Sequence, residues 1–421
     1  MNGFPIREAR QKYSDLKQIS DLSSWQEEER QKIFNFHSAN NDFYFHKVLG
    51  GNKHYSWSQI PILTKVDLRG DYVSKIPSGV RQQKLYLGST SGSSGQPLVF
   101  ARDAMHHALV WINVESHYNK SGVSVSDMEA RFYGIPLSGK GYYKEKIKDF
   151  LAHRRRFVVY DLNDDVLAGW VTRFERHRFQ FMYGYTNSLV AFAKFLERRT
   201  VRLKDVCPSL KACIVTSEMC SPAERAFLTA AFGVHVANEY GASEVSVIGY
   251  KTEDHWECSD ELLYLEVVDS QGKIVPDGRA GRLLCTCLHN LATPIIRYEI
   301  GDLATLERSN GKTKITSLEG RLNDMAILPS GKKVPGFTFY YVASEIVQTL
   351  DGVKEYRVVQ CEPEKFYVEI VGDVFLSTTD YDNLRRVFDR YLEPGLSVSY
   401  KRVNEIKREG NGKFKHFISE V

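Results

Sequence analysis

The chain has 421 residues, 43% of them hydrophobic and 26% charged, with a formal net charge of +4. That length exceeds one ordinary hydrophobic core, so two domains of unequal size are expected, and the composition argues against long disordered tracts. So small a net charge does not point to nucleic acid, no run of about 18 or more apolar residues offers a membrane span, and the start MNGFPIREARQKYSD has no apolar signal region, so a cytoplasmic location is expected.

From Ile6 to about His46 apolar residues are spaced among polar ones, as in surface helices. From about Lys84 to Tyr250 strand-like runs alternate with helix-like ones: KLYLGS and AMHHALVWINVESHY, ARFYGIP and YKEKIKDFLA, RFVVYDL and DDVLAGWVTRFERH, FQFMYGY and SLVAFAKFLERR, LKACIVTSE and SPAERAFLTAAFG, then VHVANEYG. That alternation predicts an α/β domain with a largely parallel sheet. One helix is fully punctuated, with Ser221 as N-cap, Pro222 at the first position, Glu224 completing a capping box and Gly233 at the exit. After about Gly249, alternating strands such as LLYLEVVDSQGKIVP and AGRLLCTCL, with turn signals at Gln271-Gly272 and Asp277-Gly278, predict an antiparallel subdomain. A break near Gly320 is followed by further strands and by DNLRRVFDRYLEPG, which puts Leu384, Val387, Phe388, Tyr391 and Leu392 on one helix face. The expected fold is therefore α/β. A large N-terminal domain over residues 1–320 has mixed and parallel sheets flanked by helices plus the antiparallel subdomain, and a small α+β domain covers residues 321–421.

The seven cysteines are scattered without a C-x-x-C pair, which fits reduced thiols. Cys285 and Cys287, with His255, Cys258 and His289 nearby in sequence, could bind zinc. In the alternating stretch AGRLLCTCL they read more simply as small core residues of a strand.

Residues 86–97, YLGSTSGSSGQP, raise a sharper question. Glycine and hydroxyl residues following a strand can surround a phosphate with backbone N–H groups, because glycine lets the backbone approach closely. Such a segment serves equally as a flexible joint, and with Gln96 after Gly95 it is not the G-x-x-x-x-G-K-[ST] loop.

Four further segments follow in order: VTSEMCS (215–221), ANEYGASE (237–244), IIRYEIGD (295–302) with LEGRLND (318–324), and REGNGKFKHF (408–417). With the glycine-rich loop they resemble the motifs of the adenylate-forming superfamily of acyl-coenzyme A synthetases, amino-acid adenylation domains and luciferases. The resemblance spans about residues 60 to 417. Residues 61–72, PILTKVDLRGDY, and 294–302, PIIRYEIGD, look like the phenylacetate-coenzyme A ligase branch, and the inserted LPSGKKVPG looks still more like the CapK-like relatives encoded with capsular-polysaccharide genes.

The resemblance implies a role for each matching residue. Thr90, Ser91, Gly92, Ser93, Ser94 and Gly95 would hold the β- and γ-phosphates of ATP. Ser217, Glu218, Asn238, Glu239 and Tyr240, continuing through Gly241, Ala242 and Ser243, would line the nucleotide site. Glu244 would hold Mg²⁺, Asp302 the ribose hydroxyls with help from Arg321, and Lys413 would bridge the α-phosphate and the substrate carboxylate. Asn323 would be the hinge about which the small domain reorients, and Tyr133, Gly134 and Tyr185 would border the acyl pocket.

Singly, Asp302 reads as turn chemistry, Arg321 as a surface residue, Lys413 as part of a solvated tail and Glu244 as a charge at a helix start. The ordered set favours ATP. Two positions depart from the family: Gln96 replaces a common lysine, and Asn323 a common aspartate, with Asp324 next.

The resemblance implies a ligase that converts a carboxylic acid and ATP into an acyl-adenylate and pyrophosphate, then passes the acyl group to coenzyme A. Alternatives are transfer to an amine or a carrier protein and, in another class, a catalytically silent nucleotide-binding protein. No nucleic-acid partner is expected, and a homodimer is allowed. The basic stretch KEKIKDFLAHRRR (144–156) could dock coenzyme A phosphates or an acidic carrier, though such a run is usually a solvated helix face.

Overall fold

A computed structural model describes residues 3–81, 84–90, 98–134, 139–321, 325–335, 338–339, 342, 345, 352–372, 377–408 and 414–421. It divides into two compact units: Met1–Arg279 with Leu283–Ile300 and Thr305–Thr316, and Ala280–Arg282 with Gly301–Ala304 and Ser317–Val421.

The first strands, β1 (Leu85–Ser89) and β2 (Val99–Asp103), form an antiparallel pair of their own, with Leu85 opposite Asp103 and Ser89 opposite Val99. Next come β3 (Glu129–Phe132), β4 (Arg154–Phe157), β5 (Phe181–Tyr185), β6 (Ala212–Thr216), β7 (His235–Ala242), β8 (Ser246–Lys251), β9 (Trp256–Cys258), β10 (Leu263–Val268), β11 (Ala280–Cys287), β12 (Tyr298–Ser309) and β13 (Lys312–Arg321). They lie in one eleven-stranded sheet ordered β10-β11-β12-β13-β9-β8-β7-β6-β5-β3-β4. From β4 through β3, β5, β6 and β7 all neighbours are parallel, whereas β7 to β8, β8 to β9 and β9 to β13 are antiparallel. The antiparallel stretch expected after Gly249 thus extends the parallel sheet instead of forming a sheet of its own. The KLYLGS strand, conversely, pairs with a neighbour that the alternation of patterns did not reveal.

Helices Asp164–Arg176, Thr186–Arg198 and Pro222–Phe232 connect the parallel strands. The last has its reciprocal Ser221–Glu224 capping box, proline in the first turn and left-handed Gly233 at φ 70°. Their apolar faces join Phe132, Phe157, Trp170, Phe174 and Phe192 in one buried aromatic cluster. Each such side chain removed from water contributes roughly 1.5–3 kcal/mol. The sheet's other face packs Phe181, Ile214, Ala237 and Tyr250 against Tyr118 of helix Ala104–Lys120. At Gly184 a Cβ would stand 2.4 Å from the Cβ of Phe132, so the contact between β3 and β5 requires glycine there.

Leu63 donates from its amide to Arg297 O and accepts from Glu299 N, forming a bridge to Tyr298. Arg297, at φ 46° and almost wholly buried, donates from Nη1 to the carbonyls of Ser58 (2.8 Å) and Ile60 (2.7 Å). The two sequence stretches that suggested one branch of the superfamily are therefore in mutual contact.

In the second unit, β14 (Met325–Ile327) pairs with β15 (Lys333–Pro335). The strands β16 (Val353–Glu362), β17 (Lys365–Gly372), β18 (Ser397–Arg402) and β19 (Phe417–Ser419) form a sheet ordered β18-β17-β16-β19. Helix Thr378–Tyr391 packs Leu384, Val387 and Phe388 against Phe366, Val368 and Phe417, with Tyr391 and Leu392 at the same core. Among the described residues no helix is long and apolar enough to cross a membrane.

Candidate active site

Parallel strands bring their carboxyl ends to one edge, where α/β sheets commonly bind ligands. The ends of β3, β5, β6 and β7 place Tyr133-Gly134, Tyr185, Ser217-Glu218 and Asn238 to Ala242 there. Ser217, immediately after β6, is exposed and held at φ 69°, a left-handed conformation that is costly for a non-glycine residue and recurs at functional turns. Its Oγ lies 3.5 Å from the Tyr133 hydroxyl. Glu218 does not point into open space: its Oε2 accepts from Asn187 N at 2.8 Å and its carbonyl from Thr186 Oγ1 at 3.3 Å, which ties the turn after β6 to the helix after β5.

Strand alternation separates the residues of β7. Asn238 is buried and Tyr240 half-buried, while Glu239 between them faces the other side of the strand, where its Oε1 accepts from Tyr183 OH at 2.6 Å. Gly241 follows where the chain doubles back into β8; a Cβ there would stand 2.4 Å from the carbonyl oxygen of Ser246, itself at φ 74°. The glycine of the YGASE motif is thus required by this reversal.

Glu244 lies in that turn, not at a helix start, and is buried. Tyr298 OH donates to its Oε1 at 2.8 Å. The preceding Ser243 carbonyl accepts from Arg102 Nη2 at 2.6 Å. Arg102 comes from β2, is buried, and lies over the rings of Phe100 and Tyr86 at 5.3 and 5.7 Å. Burial pushes its guanidinium below its ordinary pKa, with Cys287, Tyr86 and Glu244 opposing. Sequence reasoning missed both Arg102 and Tyr298. Each sits within an ordinary strand pattern, and only its tertiary partner marks it.

Thr90 closes the β1–β2 hairpin, donating from its amide to Leu98 O (2.9 Å) and accepting at Oγ1 from Leu98 N (3.0 Å). Ser91, Gly92, Ser93, Ser94, Gly95 and Gln96 lie outside the described residues, as do Asn323 and Lys413. Asp302 is half-buried in β12 and Arg321 ends β13.

A hard cation would find one buried carboxylate at Glu244, and among the described residues no group of three His, Cys, Asp or Glu side chains gathers to hold a metal. Such a donor set fits Mg²⁺, which typically takes one or two carboxylates and completes its shell from phosphates and water. Cys285 and Cys287 are buried in β11, and His289 hydrogen-bonds to Glu261 O at 3.0 Å. Much of the positive charge in 144–156 is internally engaged: Arg154 and Arg156 both bind Asp149, and Arg156 also binds Glu145.

No family model matches the chain. It is 24% identical over 282 residues to the phenylacetate-coenzyme A ligase of Aromatoleum evansii, covering 64% of this chain and 62% of that protein. The corresponding ligase of Escherichia coli (strain K12) is 26% identical over 286 residues with the same coverage, 64% and 62%. Protein CapK of Staphylococcus aureus is 24% identical over 331 residues, covering 73% and 70%. A 2-hydroxyisobutyryl-CoA ligase solved with its acyl-AMP superposes over 94% of this chain and 89% of its own, with a TM-score of 0.69 and 17% identity. The chain has the fold of the adenylate-forming ligases. Within that fold an anthranilate CoA ligase holding anthranoyl-AMP also matches, with a TM-score of 0.55 over 78% of this chain and 65% of its own at 17% identity. The matches to the phenylacetate-coenzyme A ligases span less than two thirds of those proteins, 62% in both.

Proposed function

We propose that the chain is an ATP-dependent carboxylate-activating ligase. A carboxylate oxygen attacks the α-phosphorus of ATP, the bond to pyrophosphate breaks, and an acyl-adenylate forms. The thiol of coenzyme A then attacks the acyl carbon, loses its proton and releases AMP. The observation that carries this reading is the ordered strand-end constellation, from Tyr133 through Ser217 and Asn238 to Glu244, in a chain sharing the adenylate-forming fold over nearly its whole length.

In this reading Asn238, Tyr240 and the strained Ser217 turn receive the adenine, with Glu218 fixing that turn from behind. Thr90 and the segment through Gly95 hold the phosphates, Asp302 and Arg321 the ribose, and Asn323 is the hinge. Glu244, oriented by Tyr298, would hold Mg²⁺, which when bound offsets charge on the phosphates. Arg102 positions the Glu244 turn through Ser243. Lys413, a compact cation with three donors, suits the bridge between α-phosphate and carboxylate. The reaction belongs in the cytoplasm, where both ATP and coenzyme A are available.

Transfer to an amine or a carrier protein is the second reading, left open by the CapK-like segment LPSGKKVPG. Carboxylate-dependent exchange of labelled pyrophosphate into ATP, over a library of acids, tests the first half-reaction. No exchange with any acid alongside normal ATP binding would leave only a silent nucleotide-binding protein. A thioester product supports coenzyme A, and an amide the second reading.

A further inference from the structure

Beside the strand ends lies a buried charge imbalance that the adenylation chemistry does not use. In-register residues of parallel neighbours share a face: Arg131 stands beside Tyr183, and Tyr185 beside Thr216, which is beside Glu239. Arg131 is committed to Glu129 through both Nε and Nη2, the latter at 3.3 Å to Oε2. Glu239 is 8% exposed; Tyr183 OH takes its Oε1, and among the described residues its Oε2 is buried without a hydrogen-bond partner. Burial pushes this carboxyl above its ordinary pKa, with the Tyr183 hydroxyl, Arg131 and the Tyr118 hydroxyl pulling the other way. Two carboxylates therefore share one guanidinium.

Aromatic rings surround this imbalance. Tyr133 and Tyr183 stack with centroids 5.7 Å apart at 5°, Tyr118 approaches Tyr183 at 6.2 Å, and Tyr133 approaches Tyr185 at 4.2 Å. Tyr133 and Tyr183 are only half-buried. Phenol faces attract cations, and a desolvated carboxylate with a free oxygen is strongly stabilised by a charged donor.

Resting on the ligase reading, we propose that the activated acid carries a protonated amino group, received by Glu239 Oε2 among the rings of Tyr118, Tyr133 and Tyr183. Glu239 is then a specificity residue on the acyl side and not part of the adenine pocket that the motif resemblance implied. The ammonium restores charge balance and gives Oε2 its donor. An acid of the same skeleton without the amine leaves that oxygen unpaired, a condition that lowers selectivity for such analogues steeply.

The test is pyrophosphate exchange by the full chain with matched acids whose amine is aliphatic and protonated: phenylpropanoate against phenylalanine, phenylacetate against α-aminophenylacetate, and butyrate against 4-aminobutyrate. At least one amino-bearing acid is expected to exceed its partner by about tenfold or more in kcat/KM. In Glu239→Gln that ratio should fall toward one, mainly through KM, and Tyr183→Phe should lower it less. Equal or better exchange with every unaminated partner overturns the assignment while leaving the ligase reading intact, as does a preference that survives in Glu239→Gln. No exchange with any acid sinks the ligase reading and this inference with it.

Discussion

At the scale of single residues, the candidate site divides into groups that touch reactants and groups that position them. Lys413 belongs to the first kind in the proposed reaction. Lys413→Ala should lower adenylation roughly 10²- to 10³-fold, the usual cost of losing one preorganised charge contact, while transfer from a supplied acyl-adenylate persists. Undiminished pyrophosphate exchange would remove that lysine from the mechanism. Tyr298 belongs to the second kind, because its hydroxyl donates to the buried Glu244 carboxylate. Tyr298→Phe strips a donor from Glu244 at a cost of about 1–3 kcal/mol, so the Mg²⁺ concentration for half-maximal exchange should shift. An unchanged Mg²⁺ titration would show that Glu244 is not held for the metal. Arg102 is of the same kind as Tyr298: buried in β2, it donates to the Ser243 carbonyl and so anchors the Ser243-Glu244 turn.

At the scale of elements, the reversal between β7 and β8 is the part on which the site depends most. It presents Asn238, Tyr240 and Glu244 within seven residues, and only a residue without a Cβ fits beneath the Ser246 carbonyl. Gly241→Ala must displace backbone, not the far end of a flexible side chain. Exchange activity should drop by about tenfold or more, the scale on which small misplacements of catalytic groups act. Far-ultraviolet circular dichroism should meanwhile stay unchanged. Full activity in this variant would mean the turn can relax without disturbing Glu244. Gly184 sets a comparable limit between β3 and β5, but its missing Cβ faces Phe132 and the aromatic cluster instead of the site.

At the scale of the whole molecule, buried histidines tie stability to pH. His37, His117 and His289 are pushed down to about 4, about 3 and about 4 by burial. His37 Nε2 faces Asn290 O at 2.9 Å, and Asn41 Nδ2 faces His37 Nδ1 at 3.4 Å, an arrangement that suits the neutral ring. Each group has a folded pKa below its unfolded value of 6.5. The unfolded chain therefore takes up protons first as pH falls, and stability present above 6.5 is lost toward about 4. Asp260, pushed up to about 6 by burial, acts in the opposite direction over part of that window. Burial raises Asp103, Glu239 and Glu266 in the same sense as Asp260, but it also lowers His106, His107 and His416, so the six histidines outnumber the four carboxyls and the thermal midpoint should fall between pH 6.5 and 4. A flat profile would contradict their burial as neutral rings.

Local patterning by itself determined much of this protein. The 3.6- and 2-residue periods marked most helices and parallel strands, the Ser221 to Gly233 punctuation bounded one helix at both ends, and the glycine of YGASE marked the reversal after β7, because backbone geometry and capping act over a few residues. Tertiary structure decided what depends on distant partners. It paired β1 with β2, ran the antiparallel strands into the parallel sheet, and joined residues 61–63 to 297–299. It brought Arg102 to Ser243 and Tyr298 to Glu244, and turned Glu239 away from Asn238 toward Tyr183. A strand's period says which residues share a face, but not which neighbour that face meets. Burial and charge pairing, which set the chemistry of these groups, arise only when segments far apart in the chain exclude water together.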